Sequence, residues 1–282
     1  MPVISPRRLA RLTWLEICKL RRQRLSLFVL GLPAVVSASV PQGFWLASAE
    51  GLQGFLAFST ALNLALLLGC FLLLIHASAS IAWERSEKTL RNYLTGPVKR
   101  SEVFLSRFVA LELEMLLLLS LVVVAAHLST NSHFAFEDIR GEAIEPLFLA
   151  EDITPHLWLA IAYFVPAAAA LVSVGLLVSV ICATPAVATA LALSLLLCLD
   201  IAKSVFSGRS NWVSCLFSSY LPTLFDRTSY LFGVQGMSEG KSDALWPDSS
   251  PHHWFVWIVP AATLLVSVTV SLAIFVRRDY AE

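Results

Sequence analysis

The sequence predicts an all-α integral membrane protein: six transmembrane helices, an N-terminal interfacial amphipathic helix, and a short cytoplasmic helix between spans 2 and 3. Three observations lead there. The chain of 282 residues is 57% hydrophobic and 14% charged, with a mean hydropathy of +0.74, which no ordinary soluble globule shows. Its apolar residues fall into six runs, each near the roughly 20 residues that cross a bilayer. Its charges are gathered into a few islands between those runs, so their placement carries the information that a formal net charge of +0 does not. A neutral chain exerts no global pull on nucleic acid.

Residues 7–24, RRLARLTWLEICKLRRQR, place Leu9, Leu12, Leu15 and Ile17 at helical intervals among Arg8, Arg11 and Arg22. That pattern predicts a helix lying in the plane of the membrane surface. The predicted spans are 25–46, 54–83, 103–128, 157–182, 185–207 and 254–276, forming one transmembrane domain over 1–282. The first serves as an uncleaved signal anchor, since it runs to spanning length without a small-residue cleavage site. With the N-terminus inside, the cytoplasmic side holds 15 of the 20 Lys and Arg residues. The positive-inside rule then puts both termini in the cytoplasm and makes a bacterial inner (cell) membrane the expected location.

The stretch between spans 2 and 3, residues 84–102, is a dense island of charge between two long apolar runs. Glu84 to Leu94 contains neither Gly nor Pro, and Leu90, Tyr93 and Leu94 share a helical face before Gly96-Pro97 stops the helix. Ser101 followed by Glu102 is placed to open the next helix. The bare alternative is a solvated loop whose charges set topology. The motif W-E-R-x-x-x-T-L-R-x-x-L-T-x-P-V-x-R, with F-V-R-R-D at the end of the last span, resembles the membrane subunit of ABC-2 type exporters. The resemblance implies that 84–102 is the first cytoplasmic loop and that its short coupling helix docks on a separate ABC ATPase. It carries that role onto Glu84, Thr89, Leu90, Arg91, Leu94, Pro97 and Arg100, with Tyr93 joining them from the helical face. Lys88 stands where the family often has Gly. The resemblance further implies pairing with a second permease copy or a homologous subunit, contact with membrane lipids, and ATP and Mg held by the partner while this chain binds no cofactor.

A P-loop is lacking: at Gly240-Lys241-Ser242 the required first Gly would stand at 235, where Gln235 is found. ATP-driven work would therefore need another polypeptide. The sequence points to no catalytic, cofactor or metal site. Two readings from other classes stay open: a membrane-embedded hydrolase built from Ser, His and acid groups, although no G-x-S-x-G appears, and a noncatalytic assembly factor or scaffold.

Ionisable residues inside spans are the costly exceptions. Glu112 and Glu114 in span 3 cannot share a helix face, so one is expected to be buried and the other to stand nearer water or a basic partner, with Arg107 an approximate match for Glu112. Asp200 and Lys203 in span 5 are three apart and can pair. His76 and His127 are expected to be hydrogen-bonded rather than metal-bound. Outer loop 129–156 is acidic, and outer loop 208–253 is too apolar in SSYLPTLFDRTSYLFG to be free, which predicts a segment dipping into the outer leaflet or covering the bundle mouth. Cys215 alone faces outside on this topology, so no disulfide is expected.

Overall fold

The computed structural model describes residues 6–47, 54–87, 99–140, 146–206, 214–222, 224, 229–239 and 254–278. It is an all-α bundle. Helix α1 (Pro6–Arg22) leads into α2 (Arg24–Leu46), α3 (Gly54–Ser86) and α4 (Arg100–His133); α5 (Ala150–Ile181), α6 (Pro185–Phe206), the short α7 (Tyr230–Ser238) and α8 (Phe255–Arg277) follow. Six of these, all but α1 and α7, are long and apolar enough to cross a membrane. Together they define a multi-pass membrane protein.

Each span starts or stops where local chemistry dictates. Helix α4 begins at Arg100 rather than at Ser101: Lys99 occupies the cap position, and the Glu102 carboxylate accepts the Lys99 N–H at 3.4 Å. Helix α5 starts seven residues before the expected span because Glu151 and Asp152 in its first turn favour the positive end of the helix dipole. The Asp138 carboxylate also accepts the Ala150 N–H at 2.8 Å. Two short strands, β1 (Ile139–Arg140) and β2 (Pro146–Phe148), pair antiparallel in what the sequence offered as an irregular loop.

Helices α3 and α5 form the buried centre, with α2 and α4 on one side and α6, α7 and α8 on the other. Close approach at the centre rests on small residues. A Cβ at Gly175 would come within 2.9 Å of the Ala77 Cβ, and Ser179 Oγ accepts the backbone N–H groups of Ile81 at 2.9 Å and Ala82 at 3.0 Å. Along the α2–α4 seam, Ser37 Oγ donates to the Val122 carbonyl (2.8 Å) and Ser129 Oγ to that of Ala38 (2.6 Å).

The segment before the last span is packed into the bundle. Residues 217–220 form a buried 3-10 turn, and α7 packs on α3 and α5. Asn63 of α3 donates to the Leu231 carbonyl (3.2 Å) and to Gln235 Oε1 (2.8 Å), anchoring α7 by its backbone and its side chain together. Tyr220 Oη donates to the Ser214 carbonyl at 2.6 Å, and burial followed by neighbouring Tyr230 pushes its pKa well above the usual tyrosine range.

Candidate functional site

The two ends of the bundle are distinguished by connectivity. One end, here the loop end, gathers the start of α2, the end of α3, the starts of α4 and α6, and the ends of α5 and α8. It flanks residues 88–98.

At this end α1 folds back on the bundle. Its inward stripe is Thr13, Glu16 and Leu20, all buried, while Trp14 and Leu15 are 65% and 61% exposed. Of the four apolar residues expected near one face, Leu9, Leu12 and Ile17 are half-buried and Leu15 points away from the bundle. A carboxylate on the inward stripe requires a partner, and the partner is Arg107 of α4. Arg107 Nε and Nη2 both donate to Glu16 Oε2 at 2.9 and 2.7 Å; Nη2 also donates to Glu84 Oε1 at 2.6 Å, and Nη1 to the Ser80 carbonyl at 3.0 Å. Lys19 ion-pairs with the same Glu84 oxygen. Three separate elements, α1, the last turns of α3 and the first turns of α4, thus meet in one buried charge cluster. Arg107 pairs with Glu16 and Glu84 and not with Glu112, because the glutamates on α1 and α3 bracket its guanidinium.

Lys19 is the strained member. Burial and then the charge of Arg107 pull its pKa down to about 8, against a partial offset from Glu16 and Glu87.

Arginines close the same end. Arg100 Nη1 donates to the carbonyls of Val276 (3.2 Å) and Arg278 (2.8 Å) at the end of α8, and Arg278 Nη1 donates to Val180 (2.7 Å) and Ile181 (2.9 Å) at the end of α5. Arg85 Nη1 reaches the Cys182 carbonyl at 3.4 Å. Each satisfies helix C-terminal carbonyls that have no intrahelical donor.

Deeper in the bundle, Glu114 is buried. Ser26 Oγ donates to its Oε1 at 2.5 Å, His76 Nδ1 lies 2.8 Å from its Oε2, and His76 Nε2 is 3.3 Å from Gln23 Oε1. His76 is itself 3% exposed, well inside the bundle and not at a span end. The acid stands between serine and histidine, whereas nucleophilic catalysis needs histidine next to the serine to take its proton. This cluster is not arranged as a hydrolase triad.

The two span-3 glutamates lie on different faces of α4, but the buried one, Glu114, also holds the basic neighbour His76, whereas Glu112 is half-buried with Oε1 enclosed and without a hydrogen-bond partner among the described residues. Asp200 and Lys203 are both buried, 3.8 Å apart, and Lys203 Nζ donates to the Ser218 carbonyl at 2.9 Å, tying α6 to the 3-10 turn. Of the loop residues singled out from sequence, Glu84 is turned inward into the charge cluster and Arg100 caps α8. Thr89, Leu90, Arg91, Tyr93, Leu94 and Pro97 lie outside the described residues. Sequence reasoning missed Glu16, Lys19, Ser26 and Gln23. Glu16 alone carried a signal, being a charge on the stripe that also holds Leu9, Leu12 and Leu20.

Between α1, the start of α2, α3 and α4 lies a cavity of about 740 Å³, bounded by both charge clusters and by Trp83.

A bundle of six helices long and apolar enough to cross a membrane, with α1 bound to the end of the second of them, defines a polytopic membrane protein. Residues 12–199 match the family described as ABC-2 family transporter protein. The match takes in more than half of the chain, which belongs to that family and has the role of a transport permease, the membrane component and not itself the ATPase. No curated protein matches the chain.

Proposed function

We propose that this chain is the membrane-spanning subunit of an ATP-driven exporter in the cell membrane, with both termini in the cytoplasm and its loop end facing a separate ABC ATPase that holds ATP and Mg. A second copy or a homologous permease completes the transporter. The observation that carries the reading is the Glu16–Arg107–Glu84 cluster. It binds the surface helix α1 and the root of α4 to the last turns of α3, on both sides of residues 88–98. A push on that loop is then felt at three elements together, because charge-assisted hydrogen bonds at 2.6–2.9 Å are directional and resist partial displacement.

In this account Glu84 is a positioning residue that acts through Arg107, while the apolar face of Leu90, Tyr93 and Leu94 makes the contact, as amphipathic helices do in grooves. Export as the direction follows from the resemblance of 83–100 to exporter permeases, and the excess of Lys and Arg at the loop end favours the cytoplasmic side for it. The test is copurification with a candidate ABC ATPase co-expressed with it. Leu90→Asp with Leu94→Asp should leave the permease inserted and remove the ATPase from the complex. Full copurification with unchanged ATP hydrolysis would refute the docking assignment.

A further inference from the structure

The cavity beside α1 has a chemistry that ATPase coupling does not use. Its walls divide into three sorts of group. Lys19 and Arg24 supply cations, Glu84 and Glu87 supply carboxylates, and Leu20, Leu25, Ala79 and Trp83 supply an apolar wall. Arg107 also borders it, but its guanidinium is committed to Glu16, Glu84 and the Ser80 carbonyl. Trp83 is 53% exposed at the end of a span, where an aromatic ring sits at headgroup level. At the inner wall stand Gln23 and His76, whose ring nitrogens face Gln23 and Glu114.

We propose that this cavity binds the headgroup of a phospholipid carrying a primary ammonium, of the phosphatidylethanolamine type, from the leaflet at the loop end. The phosphate lies by Lys19 and Arg24, the ammonium by Glu87, and the first methylenes against Leu20, Leu25 and Trp83. Three features select this class. Cations and carboxylates line one cavity, which suits a zwitterion; a purely anionic headgroup would face Glu84 and Glu87 across the same space. The carboxylates accept hydrogen bonds, which an –NH3+ group donates and a quaternary choline does not. Choline is instead held by cages of several aromatic rings, and among the described residues lining this cavity Trp83 is the one Phe, Tyr or Trp. Lys19 adds a driving force: a phosphate beside it offsets the burial, and after it the repulsion from Arg107, that pull its pKa down to about 8. The volume is within the range of sites that enclose small ligands, about 300–1,000 Å³.

The inference does not rest on the exporter reading, because binding is read on the permease chain alone. The full-length protein in detergent is titrated with phosphatidylethanolamine, phosphatidylcholine and phosphatidylglycerol of identical acyl chains, and bound lipid is counted by native mass spectrometry. Ethanolamine lipid should be retained about tenfold more strongly than either other lipid, the effect of one charge-assisted hydrogen bond set. Glu87 is exposed, so Glu87→Gln should fold with the parent's unfolding midpoint while dropping ethanolamine lipid to the choline level and leaving phosphatidylglycerol bound at least as well as before. Lys19→Gln with Arg24→Gln should weaken all three. Equal retention of the three lipids, a preference for phosphatidylglycerol, or indifference to Glu87→Gln would overturn the proposal. Full displacement by soluble glycerophosphoethanolamine at the same concentration would also overturn it, reassigning the site to a water-soluble phospho-amine.

Discussion

The two ends of the bundle are held by different physics. At the loop end, Glu16, Lys19, Glu84, Arg107, Arg100 and Arg278 join helices through charged hydrogen bonds. At the opposite end the joints are largely aromatic. Trp45 stacks on His133 with centroids 5.0 Å apart, and Phe136 packs on Phe55, Phe58 and His127 at 5.1–6.0 Å. Tyr163 meets Tyr230 and Trp257 at 5.1 and 5.5 Å. Aromatic packing tolerates small slides, since many weak contacts trade against one another. A bracketed guanidinium does not: it is either paired or it leaves buried carboxylates exposed to one another. The loop end is therefore suited to transmit a discrete displacement, and the other end to adjust around it.

Breaking the contrast begins with Arg107→Met. Buried Glu16 then loses its cation and buried Glu84 keeps only Lys19, at a cost of about 3–5 kcal/mol, and the thermal unfolding midpoint in detergent should fall sharply. A drop no larger than that of an aromatic change at the opposite end would remove the contrast. Phe136→Leu is that comparison: it keeps apolar bulk but loses the ring geometry, worth about 1 kcal/mol in the same assay. Asn63→Ala should cost less again, about 0.6 kcal/mol, as polar contacts between membrane helices typically do, and it should speed protease cutting around 229–239 before any global change.

The smallest effect has a sign that depends on pH. Lys19 binds its proton less tightly in the folded chain, at about 8 against an ordinary 10.5. Its contribution to stability is therefore fully present above pH 10.5 and is lost as pH falls through 8. Lys19→Gln removes this term, so its midpoint relative to the parent should be highest near pH 7 and decline as pH rises toward 10. A difference that grows with pH would show that the Glu84 contact outweighs burial.

The spans were legible because hydropathy is local. The expected run 185–207 and the observed Pro185–Phe206 differ by one residue, and 25–46 matches Arg24–Leu46 equally well. Where the ends moved, the cause was a cap or a charge: Glu102 drew α4 back to Arg100, and Glu151 with Asp152 drew α5 back to Ala150. Apolar excess in 208–253 foretold a packed segment, and α7 is one, but nothing local announced that Asn63 would hold it. The charge clusters were illegible for the same reason. Glu16 and Arg107 are 91 residues apart, and Ser26 and Glu114 are 88 apart. Pairing at such distances depends on how helices are laid side by side, which periodicity within one helix does not encode. Sequence proximity instead suggested Glu112 for Arg107, where the bundle supplied better carboxylates from two other helices.

The account's central claim is that the cluster around Glu84 transmits force between the loop and the bundle. Glu84→Gln keeps the side chain's size and most hydrogen bonds while removing the charge that Arg107 and Lys19 share. The direct measurement is the ATP hydrolysis rate of the permease–ATPase complex in lipid, set against the ATPase alone, with copurification scored in parallel. The account predicts that the Glu84→Gln complex assembles like the parent but that the permease's effect on hydrolysis shrinks about fivefold or more, the scale of a typical coupling free energy. An assembled Glu84→Gln complex whose hydrolysis responds to the permease as the parent's does would contradict it.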